Sequence, residues 1–148
     1  MSQQTSLIQN NCLKICIDKK KKCFDLNELI NDNLLCGYTI NEILNALKLM
    51  EISLFEIIES PTENTKVNIA ISLKVCSSYT NYYLNCHDDK CNKLHICASK
   101  IKSTNKLCCI CPLEHSIKSD HNKNLIKNCN ILADYNIFLD FYQVMLYI

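Results

Sequence analysis

The chain has 148 residues, 48% of them apolar, with a formal net charge of +1, which is enough for one ordinary domain or two small ones. A single Gly and two Pro argue against a glycine-rich phosphate loop or a long flexible linker. All 16 basic residues are Lys, so no planar guanidinium is present to read a guanine edge or to clamp a phosphate with paired hydrogen bonds.

In chain order, residues 5–17 carry Leu7, Ile8, Cys12, Leu13, Ile15 and Cys16 roughly on one face, which predicts a first helix. Asp25 followed by Glu28 resembles a capping box and starts a short helix through Leu29 and Ile30. Thr39 with Glu42 repeats that signal ahead of a stripe formed by Ile40, Ile43, Leu44, Leu47 and Met50. Val67, Ile69, Ile71, Leu73 and Val75 alternate as a half-buried strand does, and Ile52–Ile58 is the expected partner across Ser60–Asn64. Three short helices and a β-hairpin make residues 1–75 a winged-helix-like domain. Near the other end, Ser119 or Asp120 can cap a helix through Leu125, Ile126 and Cys129. The apolar tail from Ala133 to Ile148, with Tyr135, Phe138, Phe141 and Tyr142, is expected to pack back on the body as a helix; its hydrophobic end also fits a piece of a longer chain.

The intervening stretch has a different character. Residues 76–115 hold seven of the 12 Cys and three of the four His but little apolar periodicity, so this segment needs a staple. No apolar signal segment opens the sequence, and no run of about 18 apolar residues suggests a membrane span. A reducing compartment is therefore expected, and with it thiols and metal sites rather than disulfides.

Cys76-x9-Cys86-x4-Cys91-x3-His95 has the ligand count and order of a CCCH finger, in which three thiolates and one imidazole surround zinc. Two residues later, Cys97-x10-Cys108-x2-Cys111-x3-His115 repeats the Cys-x3-His ending and predicts a second zinc. Cys108 and Cys109 compete for one ligand position, and Cys108 is preferred because it forms a CxxC knuckle with Cys111; the other reading of that knuckle is a redox pair. Cys12, Cys16, Cys23 and Cys36 are expected as small core hydrophobes, with a third metal site as the alternative. His87 is read as a solvated loop residue and His121 as lying near a helix start.

The run VCSSYTNYYLNCHDDKCNKLHICASKI, followed by CPLEHSIKSDHNKNLIKN, resembles the paired CCCH fingers of the zinc-finger antiviral protein and its relatives among the CCCH-containing poly(ADP-ribose) polymerases. Cys-Asn-Lys-Leu-His-Ile-Cys at 91–97 and the segment from His115 through Asn128 carry the likeness. The chain departs from it at Ser77, Ser78 and Ala98, where the family carries basic or aromatic residues. The resemblance implies a cytoplasmic protein that binds single-stranded RNA, often viral, and recruits RNA-decay factors.

These readings give an α+β chain: a winged-helix-like domain (1–75), CCCH fingers at 76–96 and 97–116, and C-terminal helices (117–148). Two structural zinc ions are expected, and no membrane association. Single-stranded RNA needs aromatic platforms and cations; Tyr79, Tyr82 and Tyr83 can supply the first, and Lys90, Lys93, Lys100, Lys102 and Lys106 the second, the other reading being tyrosines that cover the metal and lysines that are solvated. The competing reading is a zinc-stabilised protein-interaction module, and a more remote one is a cross-braced zinc domain of the ubiquitin-ligase type. No hydrolase triad, phosphate loop or zinc-hydrolase motif occurs, so catalysis is not expected.

Overall fold

The computed structural model describes residues 3–81, 86–88, 90–97 and 117–146. Its elements are α1 (Gln3–Lys19), β1 (Cys23–Asp25), α2 (Leu26–Ile30), a 3-10 turn (Asn33–Leu35), α3 (Ile40–Leu49), β2 (Phe55–Ile58), β3 (Lys66–Ile69), α4 (Ser77–Asn81), α5 (Asp120–Asn128) and α6 (Tyr135–Leu146). This mixture of helices with one small antiparallel sheet is the expected α+β class.

Helix α1 buries Ile8, Cys12, Leu13, Ile15 and Cys16 together with one polar residue, Gln9. That Gln is fully satisfied as a clamp: its amide nitrogen donates to the carbonyls of Ala46 and Asn130, and its oxygen accepts from the Leu132 N–H. It thereby ties α1 to α3 and to the loop before α6, where an apolar residue would leave the loop carbonyl and N–H unpaired. The Thr39 capping box forms with both of its hydrogen bonds. The core stripe of α3 is Ile43, Ala46 and Leu47, with Met50 just beyond its end, whereas Ile40 is half exposed at the first turn.

Asp25 does not cap α2 with its side chain. It is the last residue of β1, and Glu28 instead turns its carboxylate to Lys21 at 2.8 Å. The sheet has the order β1-β3-β2, with Phe24 opposite Val67 and Phe55 opposite Ile69. Phe24, Val67 and Phe55 point into the core. Cys12 and Cys16 lie in that core as expected, but Cys23 and Cys36 are exposed: one sits on the outward side of a three-residue strand and the other ends the 3-10 turn.

Helix α6 packs against α1. Phe138, Phe141, Tyr142 and Met145 of α6 share one core with α1, α3 and the sheet, and the Tyr142 hydroxyl donates to the Leu73 carbonyl at 2.8 Å. Leu94, Ile96 and Ile117 belong to the same core, so the residues flanking the first cysteine-histidine cluster are anchored in the body.

Candidate metal centre

Two short pairings seat the cluster. The Cys76 N–H donates to the Leu94 carbonyl and the Leu94 N–H to the Lys74 carbonyl, each at 2.8 Å. Leu94 and Ile96 are fully buried in the core, and His95 lies between these anchors. On the other side, the Asp88 carboxylate accepts the Lys90 N–H at 2.9 Å and the Asp88 carbonyl accepts the Cys91 N–H at 3.1 Å, a turn that brings Cys91 back toward Cys86.

One ligand atom from each of Cys76, Cys86, Cys91 and His95 lies within 4.8 Å of all the others. These are the four positions that the first CCCH spacing singles out. The arrangement can hold a metal ion, since three thiolates and one imidazole are a tetrahedral donor set for a borderline-soft cation. His95 fits that role independently: its Nε2 is buried without a hydrogen-bond partner, an arrangement that is costly unless a cation takes the lone pair.

The electrostatics favour a thiolate at Cys76, a protonated thiol at Cys91 and a neutral imidazole at His95. Burial opposes ionisation of Cys76, but the Tyr79 N–H at 3.5 Å from its sulfur and the neighbouring Cys86 and Cys91 thiols outweigh it and hold its pKa below the ordinary thiol value. Burial, reinforced by the Cys76 thiolate, pushes the Cys91 thiol up to about 11. Without a cation the cluster thus keeps protons that metal binding displaces. Burial, and after it the nearby His121, lowers the pKa of His95 and keeps its ring neutral.

Two residues that the ligand spacing does not reveal hold His95 in place. The His95 N–H donates to Asn122 Oδ1 at 2.8 Å, and Asn122 Nδ2 donates to the His95 carbonyl at 2.9 Å. His121 stacks on the His95 ring with centroids 3.7 Å apart, and its Nε2 donates to the Lys93 carbonyl. Both come from the first turn of α5, where Ser119 is the N-cap. The available signal was a His-Asn pair directly after a cap residue; the partner of each could not be read from it.

Tyr79 has two readings from the sequence, a platform for a base and a cover for the metal. It is 7% exposed and stacked on His95, with centroids 4.6 Å apart and planes 4° apart, so it covers the cluster. Lys90 and Lys93 are exposed beside it. Cys97, read as the first ligand of a second finger, is buried against Cys76 and Tyr79. Its expected co-ligands Cys108, Cys111 and His115, the competing Cys109, and Tyr82, Tyr83, Lys100, Lys102 and Lys106 all lie outside the described residues. Cys12, Cys16, Cys23 and Cys36 form no metal-ligating group among the described residues.

No protein-family model matches the chain, and no curated protein matches it. Fold and site together define an α+β body carrying a Cys3His group able to hold a metal ion.

Proposed function

We propose that the chain is a zinc-stabilised, single-stranded-RNA-binding protein of the kind its finger motifs resemble. The observation that carries this reading is the convergence of Cys76, Cys86, Cys91 and His95, with Lys90 and Lys93 exposed on the same segment. Zinc is the cation that three thiolates and an imidazole favour, and four protein ligands close its coordination, which suits a structural rather than a catalytic ion. Three thiolates around a divalent cation leave the centre about one charge negative, so the lysines around it supply the attraction for phosphate.

The winged-helix reading of the first part is supported by the succession helix, strand, helix, helix, strand, strand, with β3 between β1 and β2. A second CCCH finger from Cys97, Cys108, Cys111 and His115, kinship with the zinc-finger antiviral protein family, recruitment of RNA-decay partners and a cytoplasmic location complete the proposal.

Binding of labelled single-stranded RNA across a salt series tests it. Affinity is expected to fall linearly on a log–log plot, with a slope of about −0.7 per phosphate neutralised. Undetectable or salt-insensitive binding would instead favour a protein-interaction module built on the same zinc-held scaffold.

A further inference from the structure

A groove of about 320 Å³ runs between the metal-ligating segment and α5. Lys90, Cys91 and Asn92 line it from one segment, while His121, Asn124, Leu125 and Asn128 line it from the other. The two segments are held in register by the paired hydrogen bonds between Asn122 and the His95 backbone. Asn124 and Asn128 stand one turn apart on α5, so their amides share a face. Among the described residues, no hydrogen bond occupies the side chain of Asn92, Asn124 or Asn128. Among the described residues no carboxylate lines the groove, and Lys90 in its lining is exposed.

We propose that this groove is a nucleobase subsite that receives one adenine from single-stranded RNA. This deepens the proposed function and rests on it. An asparagine amide presents a donor and an acceptor in one plane, which is the pairing that adenine answers with its N6 amino group and N7. Asn92, Asn124 and Asn128 line the groove together with Leu125, whose aliphatic side chain offers an apolar surface for a ring face. Guanine's strongest partner is a bidentate guanidinium, and the chain contains no Arg. Lys90 is placed to neutralise the phosphate of the bound nucleotide.

Asn124 and Asn128 are exposed on α5, so their replacement leaves the core intact. The test uses the zinc-loaded chain with fluorescent oligo(A), oligo(C) and oligo(U), and AMP as a fourth ligand. The double variant Asn124→Ala with Asn128→Ala is expected to lose about tenfold in affinity for oligo(A), the scale of one base-reading contact, and to keep oligo(C) and oligo(U) within about twofold. Asn124→Asp, nearly isosteric but unable to donate, is expected to reduce the oligo(A) preference in the same direction. Lys90→Ala is expected to weaken all three oligomers alike and to flatten the salt dependence. Unchanged oligo(A) binding in both asparagine variants, or equal loss for all three oligomers, would overturn the subsite while leaving RNA binding in place. Failure of the parent protein to bind any oligomer would overturn both. Equal affinity for AMP and oligo(A), lost in the double variant, would keep the adenine pocket and overturn RNA as its source.

Discussion

At the scale of single residues, the nine described cysteines differ in environment. Burial pushes the Cys12 thiol up to about 12 and shifts Cys16 in the same direction, whereas Cys23 and Cys36 are exposed. Alkylation with mass-spectrometric readout is expected to label Cys23 and Cys36 rapidly in the folded protein, and Cys12 and Cys16 only on unfolding. The same shift sets a pH dependence. In the unfolded chain the Cys12 thiol ionises near its ordinary 9.0, but in the fold it keeps its proton to about 12. Its contribution to stability is thus complete below pH 9.0 and is lost as pH rises toward 12. Melting temperatures should therefore fall between pH 9.0 and about 12 more steeply in the parent than in Cys12→Ala. Ile52 is a separate case: a β-branched residue at φ 78°, 83% exposed, in a region that favours glycine. Ile52→Gly is expected to stabilise the protein by about 1 kcal/mol in chemical denaturation.

At the scale of elements, α5 matters more than its nine residues suggest, because Asn122 satisfies both backbone groups of His95, a residue of the cluster able to hold a metal. Asn122→Ala leaves a part-buried N–H and C=O without these partners and is expected to cost about 1–3 kcal/mol, with faster zinc release to a chelator. Unchanged stability and release would mean that α5 does not brace the cluster. The elements that were legible from sequence carry a strong local signal: the Thr39–Glu42 capping box, the apolar spacing of α1, and the alternation at Val67 and Ile69 that gives β3, although the strand ends at Ile69 and the expected continuation through Ile71, Leu73 and Val75 is not strand. The missed strand β1 has only three residues, Cys23–Asp25, too few for alternation to register. Its pairing with β3 is a tertiary outcome, and that pairing is also why Asp25 closes a strand and leaves α2 without its side-chain cap. The four converging ligands were legible because ligand spacing is itself the chemistry. Tyr79 as a cover for the cluster was one of two readings open in the sequence; the roles of His121 and Asn122 were not legible, since stacking and backbone bracing depend on how α5 approaches His95.

Across the whole molecule, one core joins the N-terminal helices, the sheet, the anchors Leu94 and Ile96 beside the metal ligand, and α6. The cysteine-histidine segment is therefore built into the body, and damage to either is expected to reach the other. Phe141 is fully buried and lies against Phe55 with ring centroids 5.8 Å apart. Phe141→Ala is expected to cost about 3–5 kcal/mol, on a scale where the whole fold of such a domain is worth about 5–15 kcal/mol. If Cys76, Cys86, Cys91 and His95 hold a structural zinc as proposed, with a second zinc in the proposed second finger, the purified protein is expected to carry two zinc ions and Cys91→Ser and His95→Ala one fewer each; zinc content unchanged by both substitutions would rule out these four residues as its ligands.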